Sequence, residues 1–302
     1  MNRRLTERPQ NVLAGIGLAI ASGACFATLD TTTKFVSVGV PLLMALWFRY
    51  AFQAVATTLV VLPLRGLSVL RTAHPRYQLL RGLLLMFSTM LAFFSLKHTS
   101  VAEFTAIVMI TPLVITLLAA TKLGEKVSPL RWLLVMGGFV GTLIIMRPHS
   151  DDFNWALLLP LALVASNAWF QLLTSKMAHT EDPLTMQFYT GWVGTVIASL
   201  ALPFVWASID SWALWGALVL VGLMGTIGHF LLILAYQRAP PATLTPYLYI
   251  QIGFAMLGGW LVFSQVPDRW ALVGMAMIAV CGAIGGWLSV RESRRVPEHV
   301  ET

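Results

Sequence analysis

Four charged side chains lie within stretches of sequence that are otherwise apolar. Asp30 and Lys34 fall in FATLDTTTKFVS, Arg49 in LWFRYAF and Glu103 in TSVAEFTA. An ionised side chain at the centre of a bilayer costs at least about 2.5–3.5 kcal/mol, so such groups are expected to be paired or functional. Asp30 and Lys34 are four residues apart and would share one face of a helix. We therefore expect the four residues to form a polar cluster in the outer half of a membrane.

Two interpretations of this cluster remain open from the sequence. In the structural one, Lys34 extends its ammonium group to the membrane surface while Asp30 and Arg49 join the first two helices. In the functional one, the four residues form an outer gate or a polar wall of a substrate vestibule.

A second group of candidates combines polar and aromatic side chains near the centres of apolar segments. Such a mixture suits a neutral or zwitterionic, partly apolar small molecule. Aromatic rings also pack between helices, amides also join them, and His229 has a structural alternative to carrying a proton. The predicted substrate-binding residues are Met86, Phe87, Met90, Asn167, Trp169, Phe170, Gln171, His229, Tyr247, Tyr249 and Gln251.

Two prolines are predicted to interrupt helices. Pro112 follows Thr111 in VMITPLVI, and Pro246 lies in ATLTPYLY. Inside a helix, proline lacks the backbone N–H and clashes with the carbonyl four residues earlier. A helix break of this kind frees polar backbone groups that a substrate can contact.

The histidines and cysteines do not form a recognisable catalytic or metal-binding pattern. His98, His179 and His229 fall at different predicted depths, and Cys25 and Cys281 lie inside apolar runs as small buried side chains. We therefore expect no catalytic residue, no metal and no cofactor. An intramembrane transferase, which would need clustered acidic ligands or a His/Asp or Cys/His pair, is the alternative from another functional class.

The elements that must position these residues are membrane helices. The 302-residue chain is 57% hydrophobic and 11% charged, whereas soluble domains carry roughly 25% charged residues. Its net charge of +7 comes from basic residues in short loops, so nucleic acid is not an expected partner. The natural solvent of such a chain is a lipid bilayer.

The apolar segments predict an all-α protein with ten transmembrane helices, since about 20 mainly apolar residues cross a bilayer. Gly, Pro and charged residues separate the segments. The predicted spans are 12–36, 41–64, 77–97, 100–121, 129–147, 153–176, 183–207, 212–237, 241–264 and 269–289.

The distribution of basic residues predicts the orientation. With the N-terminus inside the cell, fifteen of the 20 Lys and Arg residues fall on the inner side and four on the outer side, as the positive-inside rule requires. Residues 1–11 and 290–302 are then cytoplasmic segments at the two ends of the chain.

The chain also resembles itself after a shift of 140 residues. Gly82 then aligns with Gly222 and Leu91 with Leu231, and LKHTSVAEFTA aligns with YQRAPPATLTP. This predicts two five-helix halves, 12–147 and 153–289. Because five is odd, the halves would cross the membrane in opposite directions, with a substrate site near the midplane between them.

These features together resemble the drug/metabolite transporter superfamily, specifically its EamA branch of ten-helix carriers. The resemblance rests on Lys34, on Arg49, on TSVAEFTAIVMITPLVITLLAATKLGEKVS and on GGFVGTLII. The second half departs from the family pattern, with Ile252 where a proline is expected and Gln265 in place of a glutamate. Within the branch, the chain is similar to YddG-type amino-acid exporters.

The resemblance implies a multi-pass protein of the bacterial inner membrane that exports small metabolites by alternating access. With the cavity residues named above, it favours neutral or zwitterionic substrates, amino acids including aromatic ones. No carboxylate is predicted at the midplane, so facilitated, gradient-driven export is expected. A lipid or broad-specificity drug flippase is the alternative within the transporter class. The expected partners are the substrate and the lipid bilayer, and both a monomer and a dimer are compatible with the sequence.

Overall fold

The computed structural model of the chain describes residues 11–98, 107, 108, 110–146, 158–264 and 268–293. Every regular element in these ranges is helical. One short 3-10 helix, Gly66–Leu70, joins the second and third α-helices. The α-helices are α1 Val12–Val36, α2 Leu42–Arg65, α3 Pro75–His98, α4 Thr111–Lys122, α5 Pro129–Met146, α6 Leu158–Ala178, α7 Pro183–Val205, α8 Trp212–Tyr236, α9 Pro241–Leu248, α10 Ile250–Phe263 and α11 Arg269–Ser293.

Most of these helices are long and apolar enough to cross a bilayer. Seven described segments meet that condition, and the last of them covers α9 and α10 together: Val12–Val36, Leu42–Leu64, Pro75–Ser95, Leu158–Ala178, Pro183–Val205, Trp212–Tyr236 and Pro241–Phe263. Three shorter apolar helices accompany them: Thr111–Lys122, Pro129–Ile145 and Arg269–Gly285. The predicted all-helical class is confirmed over the described residues. The number of spans and the side on which each chain end lies stay predictions.

The ninth predicted span, 241–264, is two helices that meet at Tyr249. Pro246 lies inside α9, three residues before the junction. Its missing N–H leaves the Ala242 carbonyl without its helical donor. The Thr245 hydroxyl donates to that carbonyl over 3.2 Å instead. The fold therefore accommodates Pro246 within a short helix and starts a new one beyond it.

The fourth predicted span is also interrupted near a proline. Residues 107 and 108 are helical, the chain turns at Ile110, and α4 begins at Thr111 with Pro112 in its first turn. Proline suits the first helical turn, because the N–H that it lacks would have no intrahelical partner there. Residues 99–106, which hold the first part of this predicted span, lie outside the described ranges.

Another boundary differs from the sequence prediction. The last helix, predicted to end at 289, continues to Ser293, because the apolar run stops before the helix-forming residues do. Residues 147–157, between the fifth and sixth predicted spans, lie outside the described ranges, and α6 is described from Leu158.

The helix ends gather at two opposite ends of the bundle, which we name after the residues that bound α1. At the Val12 end, the Ala242 amide donates to Glu125 over 3.1 Å, and Thr72 donates to Glu181 over 2.9 Å. At the Ser37 end, Gly39 lies against Leu214. The connections at residues 66–74, 123–128, 179–182 and 237–240 thus share the Val12 end.

Helix packing pairs elements of the first half of the chain with elements of the second. The most extensive contacts join α1 to α8, α3 to α6, α2 to α7 and α5 to α11. A serine hydroxyl donates a hydrogen bond across each of the first two contacts. Ser22 donates to the Gly228 carbonyl over 2.8 Å, and Ser166 donates to the Leu84 carbonyl over 3.0 Å. The two serines are 144 residues apart, and so are the two carbonyls. A serine of each half therefore makes the equivalent hydrogen bond to a carbonyl of the other half.

Glycines allow α2 and α7 to approach closely. A Cβ atom at Gly191 would lie 2.9 Å from the Ala54 backbone nitrogen, and one at Gly194 would overlap the Tyr50 ring. Small residues at such crossings let helix backbones meet and pack in a membrane. This crossing fixes the position of Tyr50, and with it the position of its neighbour Arg49.

Candidate functional site

Arg49 occupies a buried position where three helices meet. It extends from α2 with 5% of its surface exposed. Its Nη1 donates to the Thr89 hydroxyl on α3 over 2.7 Å, and its Nη2 lies 3.0 Å from Nε2 of His229 on α8. The Thr89 hydroxyl donates to the Leu85 carbonyl, so the hydroxyl of Tyr50 donates to Thr89 as well. Among the residues that the structure describes, Arg49 is thus held by neutral groups alone.

The contact with Arg49 determines the protonation of His229. A guanidinium group can only donate, so Nε2 must accept and the proton of the neutral imidazole lies on Nδ1. His229 is 7% exposed, and its ring lies 4.8 Å from the ring of Phe26 and 5.6 Å from that of Phe170. Aromatic side chains therefore enclose this imidazole.

Two donors of this centre have no hydrogen-bond partner among the described residues. They are Nδ1 of His229 and Nε of Arg49. A buried polar group without a partner costs about 1–3 kcal/mol, more when it is charged. A ligand that brings oxygen acceptors would therefore be stabilised here. We call Arg49, Thr89 and His229 the central site.

A second polar contact lies on α1 and α10. The Gln251 amide donates to Asp30 over 3.0 Å. Asp30 is exposed, and its carboxylate accepts from this amide. Arg49 acts on Asp30 electrostatically, but the two do not form an ion pair. The two opposite charges therefore lie within electrostatic range of each other without direct contact.

The other described member of the predicted outer cluster, Lys34, is placed away from these contacts. The Lys34 ammonium lies 4.8 Å from the centre of the Phe263 ring, on α10, and contributes a cation–π contact between helices. Glu103 lies outside the described residues. The structure therefore joins Asp30 to Gln251 and Arg49 to His229, two links that the sequence analysis had not paired.

The predicted amides of α6 form a chain that ends on α8. Gln171 donates to Asn167 over 2.9 Å, and the Tyr236 hydroxyl donates to Gln171 over 2.7 Å. The sequence analysis did not include Tyr236. Its position in the last turn of α8 gave no signal, because only the tertiary packing brings it to Gln171.

The remaining predicted residues are distributed among core and surface positions. Met86 is buried with Tyr50 and Phe170, whereas Phe87 and Trp169 are 45% and 46% exposed, and Met90 is half-buried. Tyr247 and Tyr249 are buried in two other core clusters, and the Tyr249 ring lies against Gly138 on α5. Of the predicted substrate-binding residues, His229 therefore contacts Arg49, and Phe170 contacts His229.

Two carboxylates connect loops at the Val12 end. Glu181 accepts from the Thr72 hydroxyl over 2.9 Å, from the His74 amide over 3.1 Å and from Gln78 over 3.5 Å. We call this set the Glu181 latch. It ties the loop after α6 to the loop before α3, and the sequence analysis did not detect it.

The second carboxylate, Glu125, accepts from the backbone N–H of Ala242 in the first turn of α9. Burial raises the pKa of Glu125, while this hydrogen bond and the positive charge of Arg131 act in the opposite direction. Arg131 also donates to the hydroxyl of Thr243. The loop between α4 and α5 is thereby attached to the second half of the chain.

The titratable groups give no cluster suited to a metal ion. Over the described ranges, no three His, Cys, Asp or Glu side chains lie close enough together to hold one. Cys25 and Cys281 are free thiols on α1 and α11.

Comparison with known proteins relates the whole chain to one family. The model of the EamA-like transporter family matches residues 13–147 and again residues 154–285. A riboflavin transporter of Vibrio cholerae is 30% identical over 291 residues, 94% of this chain and 96% of that protein. An S-adenosylmethionine uptake transporter of Rickettsia bellii is 28% identical over 87% of this chain and 90% of that protein.

A more distant relative and a solved structure complete the comparison. The pseudopaline exporter CntI of Pseudomonas aeruginosa is 24% identical over 88% of this chain and 94% of its own length. A solved crystal structure has a TM-score of 0.78 at 19% identity, and the match covers 94% of this chain and 99% of that one. The structural match shows a shared fold.

Proposed function

Because the chain belongs to the EamA-like transporter family, we propose that it carries small zwitterionic metabolites, amino acids among them, through the central site. Family membership confirms the EamA resemblance drawn from the sequence, and it makes the chain a transporter rather than an enzyme. The intramembrane transferase alternative is therefore dropped. A small-molecule substrate and a multi-pass membrane location follow from the same family.

The observation that carries the proposal is that the opposite charges of Arg49 and Asp30 interact electrostatically without forming an ion pair. Within the described ranges, the buried Nε of Arg49 has no hydrogen-bond partner, and Asp30 is hydrogen-bonded to the neutral Gln251. A substrate carboxylate would bind the guanidinium through charge-assisted hydrogen bonds, which are about twice as strong as neutral ones. A substrate ammonium group would bind Asp30. A zwitterion satisfies both charges at once and brings no net charge into the membrane.

The relatives support a site that can be adapted to different small molecules. Their names include riboflavin, S-adenosylmethionine and pseudopaline, and they include both an uptake transporter and an exporter. S-adenosylmethionine contains an amino group and a carboxylate, the two groups that this site would bind. For this chain we propose amino-acid export, the direction that its sequence resemblance implies, down the gradient of its substrate.

The proposed mechanism is alternating access between two oppositely oriented five-helix halves in a bacterial inner membrane. The double match of the family model and the paired serine bonds of α1 and α6 support the repeat. Both chain ends would then lie in the cytoplasm, and the Val12 end of the bundle would face it. The central site lies between helices of the two halves, as expected for a carrier of this kind.

Counterflow into proteoliposomes preloaded with unlabelled substrate tests the proposal. The panel contains labelled phenylalanine, its amide without the carboxylate, phenylpropionate without the ammonium group, riboflavin, S-adenosylmethionine and a labelled phospholipid. We expect exchange of phenylalanine and little exchange of its two truncated analogues. Equal exchange of all three would refute the two-charge site, and phospholipid movement alone would favour the flippase alternative.

A further inference from the structure

A second arginine is buried deeper in the bundle than Arg49. Arg81 on α3 is 1% exposed, and its Nη2 donates to the Met186 carbonyl and to the hydroxyl of Thr190, both on α7. Its Nε has no hydrogen-bond partner among the described residues. Glu181 acts on it electrostatically without forming an ion pair within the described part of the chain. Holding a buried cation without a bonded counter-ion is costly for a purely structural residue.

One aromatic ring separates Arg81 from the central site. The guanidinium carbon of Arg81 lies 5.6 Å from the centre of the Phe170 ring, and that ring also contacts His229, again at 5.6 Å. Both Arg49 and Arg81 act electrostatically on His229. Along α3, Arg81 lies eight residues from Thr89, the partner of Arg49, which is about 12 Å. Arg81 therefore lies on α3 between the central site and the Val12 end.

The Glu181 latch lies beyond Arg81, toward the Val12 end. Gln78, a member of that latch, is three residues before Arg81 on the same helix and on the same face. The donors that hold Glu181 are all neutral: Thr72, the His74 amide and Gln78. Opening this latch would uncover Arg81 from the Val12 end. Since a ligand shifts a conformational equilibrium only through differential affinity, a carboxylate bound at Arg81 would favour the open form.

We propose that Arg81 is a second carboxylate-binding site, occupied when the Val12 end is open, and that the substrate passes between it and Arg49 around Phe170. The inference rests on the proposed carboxylate-bearing substrate. The substrate carboxylate then has a cationic partner at the central site and another nearer the Val12 end. Its charge is therefore never left unpaired in a low-dielectric interior. Phe170 divides the two sites.

Chemical modification of arginine tests whether Arg81 becomes accessible and binds substrate. The full-length protein in proteoliposomes is treated with phenylglyoxal, and mass spectrometry measures labelling of Arg81. We expect labelling to rise in Glu181→Gln, in which the latch acceptor loses its charge, and to fall when phenylalanine is present. Phenylalanine amide should not protect. Absence of labelling in Glu181→Gln, or equal protection by the amide, would overturn the proposal.

Sided transport provides an independent test. In vesicles of known orientation, Arg81→Gln should raise KM at the Val12 end by at least about tenfold and change KM at the Ser37 end by less than about twofold. Arg81→Lys keeps the positive charge and should raise KM at the Val12 end less than Arg81→Gln does. Thermal unfolding checks that the lysine variant folds. Lys122→Gln, which removes an exposed cation at the same end, is the matched control.

The two hypotheses fail in different ways. If wild-type protein exchanges no zwitterion, the proposed function is refuted. If wild-type protein exchanges phenylalanine but both Arg81 variants behave as wild type from either end, only the second carboxylate site is refuted.

Discussion

The chemistry of single residues at the central site follows from what each can donate or accept. Arg49 has donors only, so it places the proton of His229 on Nδ1 and uses Thr89 as an acceptor. No carboxylate among the described residues forms an ion pair with it. The positive charge therefore remains available to a ligand, and its removal should affect binding more than folding.

Arg49→Lys tests this property. A lysine ammonium is a single point and cannot contact Thr89 and His229 with the fixed fork of a guanidinium. We expect KM for phenylalanine counterflow to rise at least about tenfold, equivalent to roughly 1.4 kcal/mol. Arg76→Gln, at an exposed position of α3, is the control. An unchanged KM in the Arg49 variant would remove it from the substrate site.

Asp30→Asn tests the proposed ammonium-binding part of the site. Asparagine retains the size of the side chain and its acceptor for Gln251 but loses the charge that would bind an ammonium group. We expect the preference for phenylalanine over phenylpropionate to fall by about tenfold or more in competition assays. Asp210→Asn, an exposed position in the loop before α8, should retain the wild-type preference. A retained preference in both variants would exclude Asp30 from ammonium binding.

At the scale of elements, the crossing of α2 and α7 positions the central site. Tyr50 is fully buried, donates to Thr89 and lies against Gly194. The ring cannot move away from an added methyl group without disturbing Thr89 and therefore Arg49. Binding geometry and helix packing thus depend on the same glycine.

Gly194→Ala should consequently destabilise the protein. Its Cβ would overlap the Tyr50 ring, and overpacking of this kind costs about 1–3 kcal/mol. We expect a lower thermal unfolding midpoint of the purified protein in detergent. Gly216→Ala on α8, where no atom lies within 4 Å of the added Cβ, is the matched control and should be neutral. Equal midpoints for the two variants would show that this crossing tolerates a wider spacing.

The elements themselves were largely predictable because a spanning helix requires a long apolar run, and such runs are visible in the sequence. What was missed depends on tertiary contacts. The contact between Arg49 and His229 joins positions 180 residues apart and has no local signature. The Glu181 latch connects two loops whose proximity only the folded chain creates.

At the scale of the whole molecule, the halves are joined by polar contacts at the Val12 end. Glu125 in the first half receives the Ala242 amide of the second half, in a partly buried position. Because burial raises the pKa of Glu125 above its ordinary value of 4.5, the folded protein holds this proton more tightly than the unfolded chain does. Its contribution to stability is therefore complete below pH 4.5 and is lost as the pH rises through the folded-state pKa.

Glu125→Gln should remove this pH dependence. Glutamine does not titrate and keeps an oxygen acceptor for Ala242. The unfolding midpoint of the variant relative to wild type should therefore increase as the pH rises above 4.5. Thermal unfolding between about pH 4 and pH 8 measures the difference. A difference that is constant across this range would contradict the assigned pKa direction.

The unpaired charges of Arg49 and Asp30 have a consequence for the transport cycle. In the proposed alternating-access cycle, closing the protein around an empty site would dehydrate both charges with nothing to replace the lost water, whereas a bound zwitterion supplies a partner for each. The conformational change of the protein without substrate would then be the rate-limiting step of the cycle. Substrate on the opposite side of the membrane would therefore speed turnover. The protein would exchange one substrate molecule for another faster than it carries out net transport.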